Sequence, residues 1–276
     1  LVYPKEPNSF FAQRLLFDLL HALLHAMKHS KFFVFDIETA AEPWESFDEA
    51  QHEYLLRGAT TDEEQEKKRR EMALSPMTSR VVCIGVCMME WLGNDTQPPV
   101  LTRQGALVLD ETLSHNAEQR IELSNGVVAV ASNEARLLAN FWKMLDKVYD
   151  ECHIVTFNGM DFDAPFVTLR SAVCGVRPTR NIALGKPWEI KEKHIDLQKE
   201  LQLHAYGNNG ATRRYNFDFY ARVFGITSPK AQGVHGGNVA ELYAEGRIAE
   251  IAEYCLRDVH ATWELFMLWY KFLYFS

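Results

Sequence analysis

The sequence predicts an α/β fold, a mixed β-sheet flanked by helices, on three observations. Apolar runs rich in Val, Ile and Phe at 31–37, 80–91 and 153–157 read as buried strands. Stretches with apolar residues at helical spacing lie between and after them. Hairpin-like strands in the first half give way to strand–helix alternation in the second, the order expected of a mixed sheet. The 276 residues, 47% hydrophobic, suit one large domain or a domain with appendages. A net charge of −8 argues against a general electrostatic grip on nucleic acid. It leaves room for local basic clusters, and for carboxylates whose charge bound cations neutralise.

In chain order, residues 9–29 form an amphipathic helix, giving an N-terminal helical extension over 1–30. His21, His25 and His29 stack on one of its faces; three ligands on one straight face cannot close round a single ion, so they read as surface or interface groups. Residues 31–39 are the first strand. A polar, charged helical insertion follows over about 41–78, with acidic residues early and Lys67, Lys68, Arg69 and Arg70 late, as the helix macrodipole favours. Residues 80–91 are a second buried strand, and 100–109 and 120–123 weaker ones between turns. Ser132 or Asn133 caps a helix to about 149, burying Leu137, Leu138, Phe141, Trp142 and Leu145. The strand 153–157 leads through Asn158-Gly159 to a helix over 162–174. The section 175–210 is irregular, with order expected at 195–203 near His194 and Asp196. Helices over 216–224, 239–244 and 247–272 complete the chain. Five cysteines without a Cys-x-x-Cys pair suit buried free thiols in a reducing, cytoplasmic setting. Neither a membrane span nor a signal peptide is expected.

Three stretches carry chemistry. Asp36 and Glu38 end the first strand two residues apart, so they share a face while Ile37 turns into the core. Roughly 6–7 Å apart at a rise of ~3.3 Å per residue, they repel unless a cation lies between them. A hard divalent ion with oxygen ligands suits them; the alternative is a strand ending in a polar turn. Asp163 follows the Asn158-Gly159 turn and precedes Pro165, either as a helix N-cap or as a carboxylate at the mouth of the sheet, with Asp161 its rival. In the last helix Tyr254 and Asp258 share a face four residues apart, as functional groups or as a structural hydrogen-bonded pair.

In this order, Phe35-Asp36-Ile37-Glu38-Thr39, Asn158 through Phe162-Asp163 to Pro165-Phe166, and Tyr254-x-x-x-Asp258 resemble the three exonuclease motifs of the DEDD superfamily. The tyrosine marks the DEDDy branch, and the likeness is to 3′–5′ exonuclease domains of family-B DNA polymerases and related stand-alone proteins. It covers about 31–272, and 233–258 also resembles the stand-alone group. The resemblance implies a ribonuclease-H-like fold over 31–276 and two Mg²⁺ or Mn²⁺ ions. It implies Asp36, Glu38, Asp163 and Asp258 as metal ligands, with Asp36 between the ions and Tyr254 placing the attacking water. Thr39, Asn158 and Phe162 are the candidate substrate contacts. The implied activity is 3′–5′ hydrolysis at single-stranded 3′ ends, DNA favoured over RNA.

Arg213, Arg214 and Arg222 with Tyr215, Phe217 and Tyr220 read either as a track for a single strand or as a helix with an aromatic core face and solvated arginines. His260 reads as a group supporting the site from behind, or as packing, and not as a ligand. Competing functions are an RNA exonuclease of the same fold, a catalytically silent nucleic-acid-binding module, and a metal hydrolase of small phosphate esters. Oligomeric state is not legible in the sequence.

Overall fold

Residue alternation along one strand sets the architecture. In β1 (Lys31–Ala41), Phe33, Phe35 and Ile37 join one apolar cluster and Phe32 and Val34 a second, on the opposite face of the sheet. The computed structural model describes residues 31–90, 99–183, 193–204, 211–228 and 236–274; the expected extension over 1–30 and its histidines lie outside them. Among the described residues β1 is an interior strand, fifth in a seven-stranded sheet of order β4-β5-β3-β2-β1-β6-β7. Its antiparallel neighbour is β2 (Ser79–Glu90), which pairs antiparallel with β3 (Val100–Leu109). β5 (Val128–Ser132) joins β3 in parallel and is edged by antiparallel β4 (Gln119–Glu122). On the other side of β1, β6 (Cys152–Thr156) and β7 (His194–Asp196) run parallel. This mixed sheet with helices on both faces is the expected α/β, ribonuclease-H-like architecture. β5 was not expected: its five residues hold too few large apolar side chains to stand out.

Between β1 and β2 lie α1 (Glu49–Leu55) and α2 (Asp62–Glu71), each opened by a capping box, Asp48 with Gln51 and Thr61 with Glu64. Lys67 and Glu71 pair along α2, and Arg69 lies over the Trp44 ring, so this basic run is a solvated face. One face of the sheet is covered by α3 (Glu134–Asp146) and α4 (Asp163–Val173), with Phe141 of α3 packed 5.2 Å from Phe35. Arg170 of α4 ties these elements together: it donates to Glu134 and to Glu42 at the end of β1, and Glu134 also accepts from Val81 N–H. Short helices α5 (Leu197–Leu201), α6 (Phe217–Val223) and α7 (Val239–Ala244) lead to α8 (Ile248–Phe272).

α8 crosses the opposite side of β1. Trp263 and Phe266 pack on Phe32 at 5.2 and 4.9 Å, and burial of each such ring contributes about 1.5–3 kcal/mol. Gly85, the cross-strand partner of Asp36, makes the approach close: a Cβ there would stand 2.9 Å from Cys255 Sγ and 3.2 Å from the Cys255 carbonyl carbon. The five cysteines are free, and four of them are buried. Among the described residues no helix is long and apolar enough to cross a membrane.

Candidate active site

The face of β1 that buries Phe32 and Val34 continues, two residues at a time, to Asp36 and Glu38. The α8 face that covers those rings likewise continues toward its N-terminus to Asp258 and Tyr254. Strand and helix periodicities therefore meet in a cleft of about 490 Å³ that Asp36, Glu38, Asp163, Tyr254 and Asp258 all line. Glu38, Asp163 and Tyr254 are buried, at 7%, 3% and 4% exposure.

Asp163 arrives from the other side of β1. It is the first residue of α4, not its N-cap: Phe162 holds that position, and Asp163 Oδ1 instead accepts Ile37 N–H at 3.0 Å. A single hydrogen bond thus docks the start of α4 between the two β1 carboxylates. The turn before it is tight. Asn158 adopts a left-handed φ of 64°, and a Cβ on Gly159 would stand 2.3 Å from Thr156 Oγ1. Asp161, the rival carboxylate, is half-exposed and paired with Lys199 Nζ at 2.6 Å.

The electrostatics are those of like charges brought together. Burial first, then Asp163, Asp258 and Glu38, hold the Asp36 carboxyl well above the ordinary carboxylate range. Burial, followed by Asp258, does the same to Glu38. Burial raises Asp163 to about 7, against the pull of two backbone N–H groups. Burial and then Asp258 also push the Tyr254 phenol upward, and Tyr254 hydrogen-bonds Asp258 one turn along the helix. Among the described lining residues Arg214 is the one basic side chain, and it donates to Asn158 Oδ1 at 2.6 Å. Asp36, Glu38, Asp163 and Asp258 line one cleft, with Asp218 also on its wall, and form an oxygen-donor set that divalent cations fit.

Cys255 Sγ lies within 4.8 Å of ligand atoms of Asp36 and Glu38, which makes it a conceivable soft ligand. Its sulfur already accepts Gly85 N–H at 3.1 Å and faces the Asp36 carbonyl at 3.4 Å, a packing role between helix and sheet. Of the candidate substrate contacts, Asn158 and Phe162 line the cleft. Thr39 is not among its lining residues and donates its hydroxyl to Ala73 O at 2.7 Å. His260 sits against Gln104 Oε1 at 2.8 Å, in agreement with packing.

One residue had no role in the sequence reading. Asp196, 1% exposed at the end of β7, accepts Asn158 N–H at 2.8 Å, Met160 N–H at 3.0 Å and Gln198 N–H at 3.0 Å. It is the buttress of the turn that delivers Asn158 and Asp163. The signal was present in outline, since an acid closes a short strand just before a helix.

Fold and cleft together define a ribonuclease-H-like α/β protein with a carboxylate-lined site. The chain belongs to the family of predicted 3′–5′ exonucleases related to the exonuclease domain of PolB, whose model matches residues 107–275. That span includes Asn158, Asp163, Tyr254 and Asp258, and β1 with Asp36 and Glu38 precedes it. Exonucleases of this kind act on nucleic-acid 3′ ends and use divalent metals. Among solved structures, the chain is similar to the family B DNA polymerase from the hyperthermophilic archaeon Pyrobaculum calidifontis, at 16% identity and a TM-score of 0.48. The match covers 87% of this chain and 24% of that one, so the chain spans about a quarter of the polymerase's length. No curated protein sequence matches it.

Proposed function

We propose that the chain is a metal-dependent 3′–5′ exonuclease of the DEDDy type, hydrolysing phosphodiester bonds at the 3′ end of single-stranded DNA, with 31–276 as its catalytic domain. The observation that carries this reading is the convergence of Asp36, Glu38, Asp163, Asp258 and Tyr254, from three separate elements, on one cleft. Asp36 would sit between two Mg²⁺ or Mn²⁺ ions, with Glu38 and Asp258 completing one site and Asp163 serving the other. Such a pair of ions supplies activation of the attacking water and stabilisation of the leaving 3′ oxygen.

The side chains account for the rest. Tyr254, whose phenol is held protonated at neutral pH, serves as a hydrogen-bonding group that orients the water and not as a general base. Asn158 and Phe162 border the place where the terminal nucleotide would lie.

Purified chain with Mg²⁺ or Mn²⁺, given end-labelled single-stranded DNA, duplex DNA and RNA, should shorten single-stranded DNA stepwise from its 3′ end. EDTA or Asp36→Ala should abolish the ladder. Faster degradation of RNA would move the substrate assignment, and metal-dependent degradation retained by the Asp36 variant would place the chemistry elsewhere.

A further inference from the structure

The arginine–aromatic segment around α6 is divided by the structure into two groups. Phe217 and Tyr220 turn inward onto Phe157, at 5.0 and 5.7 Å between ring centroids, and Arg222 pairs with Asp218 at 3.0 Å. Tyr220 and Arg222 follow the structural reading, while Phe217, half-buried, also lines the cleft.

Tyr215 and Phe219 behave otherwise. They stack on each other with centroids 4.3 Å apart and planes 8° from parallel, and Phe219 remains 47% exposed. The Arg213 guanidinium lies over the Tyr215 ring at 4.7 Å, and the exposed Arg214 reaches the cleft, where it meets Asn158. Tyr215 and Arg214 line the cleft, whereas Phe219 stands beyond its lining residues. A shelf of stacked rings therefore leads outward from the carboxylates, with two cations beside it.

We propose that the outer face of Phe219, backed by a Tyr215 ring already covered by Phe219 and Arg213, is a base-stacking subsite for an unpaired nucleotide upstream of the 3′ end, with Arg213 and Arg214 against the adjoining phosphates. The inference rests on the nucleic-acid reading of the cleft and deepens it. Ring faces accept any base, and cations beside them follow a backbone without reading sequence. Continuity with the cleft and the local positive charge, in a chain of net charge −8, select a polyanion over an apolar protein partner. A base enters the shelf only if it has left a duplex, so the shelf favours single strands.

The test is a cycle between protein and strand, read as binding in Ca²⁺ by fluorescence anisotropy. Oligonucleotides carry one abasic position, moved stepwise from the 3′ end. For the unaltered chain, one position should weaken binding by about 5- to 100-fold. The Tyr215→Ala/Phe219→Ala variant should lose a similar factor on the intact strand and nothing further at that position, while Phe219→Trp retains affinity. Melting temperatures of all variants establish that they are folded. Equal affinity of the Ala variant and the unaltered chain, or additive losses, would overturn the subsite. Failure of the unaltered chain to degrade any 3′ end would instead sink the exonuclease reading, and the binding cycle would still report on the shelf.

Discussion

Tyr254 shows how one side chain separates two readings. Its hydrogen bond to Asp258 suits both a structural pair and a phenol held ready to orient water. Tyr254→Phe keeps the ring, which is 4% exposed and packed in the core, and removes one donor. If the phenol orients the nucleophile, the rate should fall about 30- to 1000-fold, the worth of roughly 2–4 kcal/mol in the transition state, with single-strand affinity in Ca²⁺ little changed. A drop in melting temperature and in metal affinity with normal turnover would make it a partner of Asp258 only. Asp196 belongs to the same scale. Asp196→Asn replaces one of the two accepting oxygens, leaving Asn158 N–H or Met160 N–H without its carboxylate partner. An unmade buried hydrogen bond costs about 1–3 kcal/mol, so the variant should melt earlier and lose activity through a displaced Asn158–Asp163 turn.

At the scale of elements, the site depends on how closely α8 lies on the sheet. Gly85 sits opposite Asp36 on β2, and Cys255 of α8 fills the space a side chain would need. Gly85→Ala should therefore lift the helix by tenths of an ångström, carrying Tyr254 and Asp258 away from Asp36 and Glu38. Overpacking of this kind costs about 1–3 kcal/mol. Activity should suffer more than stability, because ligand geometry tolerates less movement than apolar packing. The double variant Gly85→Ala/Cys255→Ala relieves the sulfur contact at 2.9 Å but leaves the backbone contacts at 3.2 Å, so rescue should be partial. Full activity in the single variant would show that the crossing is not critical.

For the whole molecule, gathering carboxylates for function opposes folding when no cation is bound. Asp163 is raised from 3.8 to about 7. Between those values the native state holds a proton that the unfolded chain has released, so metal-free stability falls as pH rises from about 4 to about 7. Asp36 and Glu38, raised in the same sense, add to the loss as pH rises. Melting in EDTA should thus decline across this range, and Asp163→Asn should flatten the decline. Mg²⁺ or Mn²⁺ should restore more stability at pH 8 than at pH 5, where protons compete for the ligands. A melting temperature independent of pH and of metal would contradict the close grouping of the carboxylates.

The sequence by itself determined the fold class and the main elements, since periodicity and caps are local signals. The runs at 31–37, 80–91 and 153–157 became β1, β2 and β6, and the long final helix became α8. Strand alternation put Asp36 with Glu38 and i,i+4 spacing put Tyr254 with Asp258, while Asp163 was ranked above Asp161 on the motif resemblance. Short or weakly apolar pieces escaped it: β5 is five residues long and β7 three, and their strand state comes from pairing with β3 and β6. The tertiary structure alone showed what holds the two rival acids, the Ile37 N–H for Asp163 and Lys199 for Asp161. It alone gave Asp196 its work and turned Phe217 inward while leaving Phe219 out. Those outcomes turn on partners 36 to 126 residues away along the chain, and local periodicity carries no record of them.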